Sequence, residues 1–127
     1  MQQTQALIID DNTRNLKVLA QLLFKNGATC IEVGDPTQLA SILPNLEQVD
    51  VVFLDLEMPG LDGFGAKELL RSYLGDTPII AYTVHVSEID AVRQSGFDGF
   101  LGKPLDSARF PDQFARILRG EPVWERM

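Results

Sequence analysis

The chain has 127 residues, 45% of them apolar, which is enough for one hydrophobic core and suits a single domain. Its 18 acidic residues outnumber 11 basic ones for a net charge of −7, which argues against contact with a phosphate backbone as the main task. No apolar run approaches the roughly 20 residues that span a bilayer, and the polar residues 1–5 lack a cationic, signal-like start, so a cytoplasmic protein with neither membrane nor nucleic acid as direct partner is expected.

Ala6-Leu7-Ile8-Ile9 is continuously apolar, as a strand of a parallel sheet covered on both faces must be, and Asp10-Asp11 end it. Asn12 or Thr13 caps a helix in which Leu16, Leu19, Ala20 and Leu23 share one face, and Gly27 closes it. Thr29-Cys30-Ile31-Glu32-Val33 reads as a second strand; its cysteine has no partner for an internal disulfide and reads as a buried, inert thiol. Asp35-Pro36 opens a second helix that runs to about Leu43, where Pro44 stops it.

The run Val51-Val52-Phe53-Leu54 is a third strand and delivers Asp55. Met58-Pro59-Gly60 with Asp62-Gly63 forms a long turn over that strand end, before a third helix marked by Leu69, Leu70 and Tyr73 that ends near Gly75. Pro78-Ile79-Ile80-Ala81-Tyr82 is a fourth strand ending at Thr83, Ser87–Ser95 a fourth helix, and Gly99-Phe100-Leu101 a short fifth strand before Lys103. Pro111 opens the last helix; Phe114, Ile117 and Leu118 cover the sheet, and Gly120 with Pro122 terminates it. The expected core is 6–119, with 120–127 as a short tail too small for an output domain.

Strand and helix signals alternate along the chain, which predicts an α/β fold with a doubly wound parallel sheet. Ligands of such sheets bind outside the carboxyl ends of the strands, so Asp10, Asp11 and Asp55 should surround one crevice with Lys103. Two unit charges about 4 Å apart repel by roughly 4 kcal/mol at an effective dielectric of 20, so three clustered carboxylates call for a cation. Magnesium fits, because it takes oxygen ligands and prefers one or two carboxylates plus a phosphate oxygen. With the Lys103 ammonium opposite, the charge on a transferring phosphoryl group is neutralised, and Asp55 is the candidate nucleophile.

These residues resemble the receiver domains of two-component response regulators over residues 6 to about 119. The resemblance is carried by Asp10-Asp11, by Asp55-Leu56-Glu57-Met58-Pro59-Gly60-Leu61-Asp62-Gly63, by Thr83 at the fourth strand end and by Lys103-Pro104 after the fifth. It implies a flavodoxin-like fold of five strands in the order 2-1-3-4-5 with five helices, and a single receiver domain over 1–127. It implies that Asp55 is phosphorylated, that Asp10, Asp11 and Asp55 hold magnesium with the Glu57 backbone carbonyl, and that Thr83 and Lys103 contact the phosphoryl group. A cis peptide bond at Lys103-Pro104, a switch formed by Thr83 and Phe100, and modulation of hydrolysis by Glu57 and His85 belong to the same set of expectations. Val84 stands where receivers usually carry a small residue, so its branched side chain is expected to narrow the phosphoryl entrance.

The function this implies is that of a phosphoacceptor, not a turnover enzyme. It would be charged by a histidine kinase or histidine phosphotransfer protein and read by a downstream protein effector through a switched face. Alternatives are a receiver domain excised from a hybrid kinase or larger response regulator, an interaction module indifferent to phosphate, and an aspartyl-nucleophile phosphatase. The segment Asp11-Asn12-Thr13-Arg14-Asn15 looks like the receivers of hybrid kinases and of small regulators without an output domain.

Overall fold

The computed structural model describes residues 3–58 and 62–125. A parallel sheet runs through it in the order β2-β1-β3-β4-β5-β6, built from β1 (Thr4–Ile9), β2 (Ala28–Val33), β3 (Val51–Asp55), β4 (Ile79–Thr83), β5 (Gly99–Gly102) and β6 (Val123–Glu125). Helices α1 (Thr13–Lys25), α2 (Leu39–Ile42), α3 (Gly63–Leu74), α4 (Ile89–Gln94) and α5 (Phe110–Leu118) connect the strands. Every residue of β3 and β4 is buried, as their unbroken apolar runs require in a sheet covered on both sides.

Side-chain alternation divides the interior into two faces. Ile8, Phe53, Ile80 and Tyr82 join the α1 stripe Leu16, Leu19 and Leu23 and the α5 residues Phe110, Phe114 and Ile117. On the other side Leu7, Ile9, Val52, Leu54, Ala81 and Phe100 meet Leu39 of α2, Leu70 of α3 and Val92 of α4. The first helix is capped as read, with the Asn15 N–H donating to Asn12 Oδ1 at 3.1 Å. In the third, Asp62 Oδ1 accepts the Phe64 N–H at 3.0 Å. Of the turn before it, Met58 is buried, while Pro59, Gly60 and Leu61 lie outside the described residues.

The sheet has a sixth strand where the sequence reading had five and a tail. Residues 123–125 pair in parallel with β5, Gly99 opposite Val123, Phe100 opposite Trp124 and Leu101 opposite Glu125. Side chains reinforce the pairing. The Arg93 guanidinium lies 4.7 Å from the Trp124 ring centroid, and Glu125 pairs with Arg109 and Arg116 of the α5 region. A β-carbon at position 99 would stand 2.8 Å from the Val123 carbonyl oxygen, so the close approach of this strand requires Gly99.

Smaller corrections follow from local chemistry. The helix expected from Pro36 to Leu43 is regular only over Leu39–Ile42, with 3-10 turns at Pro36–Gln38 and Leu43–Asn45. Asp35 draws both the Thr37 N–H and hydroxyl into a local turn, and Pro44 removes the donor that would extend the helix. The fourth helix likewise starts with a 3-10 turn at Val86–Glu88. Tyr73 and Leu118 are exposed, and in α5 Phe110 and Gln113 are buried instead. Cys30 is half-buried because β2 is an edge strand; burial and the nearby Glu32 push its thiol up to about 11, so it stays protonated at neutral pH.

Candidate functional site

The carboxyl ends of β1, β3, β4 and β5 converge on one crevice. Asp10 follows β1 and is fully buried; the Asn12 N–H donates to its Oδ1 at 2.9 Å, a bond set by the turn that also caps α1. Asp55, the last residue of β3, is 3% exposed, and its Oδ1 accepts the Glu57 N–H at 2.9 Å. Asp11 is exposed at the mouth. Lys103 follows β5, its N–H donating to the Thr83 carbonyl at 2.9 Å and its peptide bond to Pro104 cis. The ammonium reaches in, with Nζ 3.0 Å from Asp10 Oδ2 and 3.3 Å from Asp55 Oδ2.

Two buried carboxylates sharing a site cannot both ionise freely. Burial, with the neighbouring Asp10 carboxylate adding to it, pushes the Asp55 carboxyl up to about 6. Burial also acts upward on Asp10, yet the Asn12 N–H, hydrogen bonding with Asp55 and the Lys103 ammonium outweigh it and hold Asp10 below its ordinary value. One oxygen from each of Asp10, Asp11 and Asp55 falls within 4.8 Å of the others. This all-oxygen, anionic donor set suits a hard divalent cation such as magnesium, which takes few protein carboxylates and keeps open positions for phosphate and water.

The remaining residues singled out in the sequence also gather here. Thr83 is fully buried at the end of β4, its Oγ1 accepting the His85 N–H at 3.1 Å. His85 Nε2 stands 3.4 Å from Glu57 Oε2, so these two half-exposed side chains form one rim of the crevice. Val84, beside them, is 59% exposed. Phe100 is fully enclosed on the same face as Ala81, one of its neighbours being the Trp124 side of β6.

One participant is marked in the sequence only by its place in the fourth strand. The Tyr82 hydroxyl donates to Asp10 Oδ2 at 2.9 Å, and Lys103 Nζ lies 4.3 Å from its ring centroid. Burial and the Asp10 charge raise the phenol's pKa, which keeps it a donor. A phenol in a run buried on both faces was the available signal, since such a hydroxyl needs a partner.

The response regulator receiver domain family matches residues 6–115. Stress response regulator protein 1 of Debaryomyces hansenii is 36% identical over 106 residues, covering 79% of this chain and 43% of that protein. The sensor histidine kinase GacS of Pseudomonas protegens is 33% identical over 108 residues, 80% of this chain and 12% of the kinase. Among solved structures, a response regulator receiver domain protein of Clostridium thermocellum superposes with a TM-score of 0.80 at 21% identity, covering 91% of this chain and 94% of that one. The chemotaxis protein CheY4 of Vibrio cholerae gives the same TM-score and identity over 91% of this chain and 99% of that one. The chain spans less than half the length of the curated relatives given above. No helix among the described residues is long and apolar enough to cross a membrane. On the match over residues 6–115 and the shared sheet, the chain belongs to the response regulator receiver domain family of two-component signalling, whose members occur both in response regulators and in hybrid kinases.

Proposed function

We propose that the chain is one receiver domain acting as a phosphoacceptor: a histidine kinase or histidine phosphotransfer protein delivers a phosphoryl group to Asp55, and a downstream protein reads the resulting change. The observation that carries this reading is the Lys103 ammonium placed 3.0 and 3.3 Å from Asp10 and Asp55, at the point where three carboxylates meet. A carboxylate oxygen of Asp55 forms the new bond to phosphorus as the bond to the donor's leaving group, imidazole nitrogen or acetate, breaks and that group departs with the electron pair. Lys103 balances charge on the phosphoryl oxygens, and the Thr83 hydroxyl turns from its local bond toward them. Asp10, Asp11 and Asp55, with the Glu57 backbone carbonyl, would hold magnesium, which supplies positive charge and an oxygen-binding template. Glu57 and His85 at the rim influence the water that ends the phosphorylated state, and Val84 restricts access.

The signal passes through Thr83 to Phe100. Because Phe100 is already enclosed, its rearrangement is a repacking within the α2–α4 side of the sheet, not a swing from solvent. Two packings of one aromatic make a bistable element, and Thr83 biases it only if the hydroxyl meets phosphate in just one of them. Partners read the surface of α4, β5 and α5, which here also carries β6.

Intact-mass analysis after incubation with acetyl phosphate and magnesium tests the reading. One phosphoryl adduct, lost on hydroxylamine treatment and absent in Asp55→Ala, is expected; undiminished labelling of that variant shows the nucleophile lies elsewhere, and no labelling of the wild type removes the phosphoacceptor reading.

A further inference from the structure

Tyr82 holds a position that packing alone does not explain. A phenylalanine would fill the same space between β4, α1 and α5, and a hydroxyl buried there costs free energy unless it is bonded. The hydroxyl is bonded, and to one of the carboxylates that gather at the crevice: it donates to Asp10 Oδ2 at 2.9 Å. Lys103 Nζ donates to the same oxygen at 3.0 Å, while Asp10 Oδ1 takes one bond, from the Asn12 N–H at 2.9 Å. A carboxylate offers about four acceptor sites. With Asp55 ionised to meet a cation, its hydrogen bond to Asp10 is gone, and Oδ1, with one donor against two on Oδ2, is the oxygen with capacity left, its direction fixed by what grips Oδ2.

We propose that Tyr82 is a positioning residue of this site: its hydroxyl locks the Asp10 carboxylate so that Oδ1 is presented to a divalent cation, and the face of its ring seats Lys103 between Asp10 and Asp55. The ring is 4.3 Å from Nζ, within the range of a cation–π contact. The same side chain therefore sets one ligand and the Lys103 ammonium, which meets both buried carboxylates. β4 is built to do this from both sides: Tyr82 reaches Asp10 from the α1/α5 face, and Thr83, the next residue, belongs by alternation to the other face. Carboxylates that ligate metals are themselves oriented by hydrogen-bond donors, and loss of such a donor typically weakens metal binding 10- to 100-fold.

The inference rests on the magnesium reading of the site, and the test separates the two. Magnesium chloride is titrated calorimetrically into metal-free wild type, Tyr82→Phe, Tyr82→Leu and Asp11→Asn at one pH and ionic strength, with circular dichroism confirming each fold. Tyr82→Phe differs by one oxygen and keeps the ring; it is expected to fold as the wild type does and to bind magnesium about tenfold more weakly. Tyr82→Leu loses the ring as well, and at saturating magnesium it should label with acetyl phosphate more slowly than Tyr82→Phe. If Asp11→Asn loses affinity while Tyr82→Phe retains the wild-type dissociation constant, the hydroxyl only satisfies a buried charge and the positioning role is wrong. If neither variant changes magnesium binding, the metal assignment and the role of Tyr82 fall together.

Discussion

The two sides of the sheet are built differently. On one, α1 runs 13 residues and α5 runs 9, and Phe53 packs against Phe110 and Phe114 with ring centroids 6.2 and 6.4 Å away. On the other, α3 runs 12 residues while α2 and α4 keep only 4 and 6 regular residues beside 3-10 turns, and Phe100 packs in a cluster that also holds Phe97 and Trp124. α1, capped by Asn12, and α5 with its rings hold Tyr82, and through it Asp10, in one place. Short helices that break their own hydrogen-bond ladder offer less resistance to a change at Thr83 and Phe100. The crevice lies at the strand ends between the two sides, with Asp10 tied through Tyr82 to the first and Thr83 facing the second.

The largest effect that sharpens this contrast is on stability. Phe53→Ala should cost about 3–5 kcal/mol, because a fully buried ring in contact with two others leaves a void that α1 and α5 cannot close. Urea unfolding measures it, and a loss under about 1 kcal/mol would show that this side is no stiffer than the other.

A smaller effect comes from Asp55, whose carboxyl is raised to about 6 by burial and by Asp10. Its unfolded value is near 4, so between about pH 4 and 6 the folded chain binds the extra proton, and stability falls as pH rises through that window. Without divalent metal, Asp55→Asn should be more stable than wild type at pH 7, on the order of 1 to 3 kcal/mol, and the two should converge near pH 4. Asp10, held below its ordinary value, acts with opposite sign: its contribution is present above about pH 4 and is lost as pH falls further. Thermal melts across pH 4–8 in chelator check both signs, and parallel curves for wild type and Asp55→Asn would contradict the shift.

The smallest effect is kinetic. Val84→Ala should accelerate labelling by acetyl phosphate a few-fold at equal magnesium, as expected if a 59% exposed branched side chain narrows the entrance. Equal rates in a stopped time course would mean that access is not limiting.

Much of this contrast was legible in the chain, for reasons that differ by residue. Ala6–Ile9 and Val51–Leu54 are apolar on both faces, which only a central parallel strand tolerates, so the strand ends and the acids after them could be placed. β6 was not legible: three residues behind Gly120 and Pro122 carry no run or alternation, and their pairing depends on Gly99, Arg93 and Arg116 elsewhere in the chain. Breaks in α2 and α4 escaped because a 3.6-residue pattern does not distinguish a regular helix from one frayed into 3-10 turns. Tyr82 escaped because a strand pattern reports burial and not what a buried hydroxyl bonds to.

The central claim is that occupancy of Asp55 moves the α4–β5 part of the surface that partners read and spares α1 and the body of α5. Amide spectra of the protein with and without beryllofluoride and magnesium test it most directly. Large shifts over residues 84–110, small ones along α1 and in α5 from Phe114 to Leu118, and loss of the 84–110 shifts in Thr83→Ala are the predicted result. Shifts of equal size on both sides, or shifts confined to the surroundings of Asp55, would contradict it.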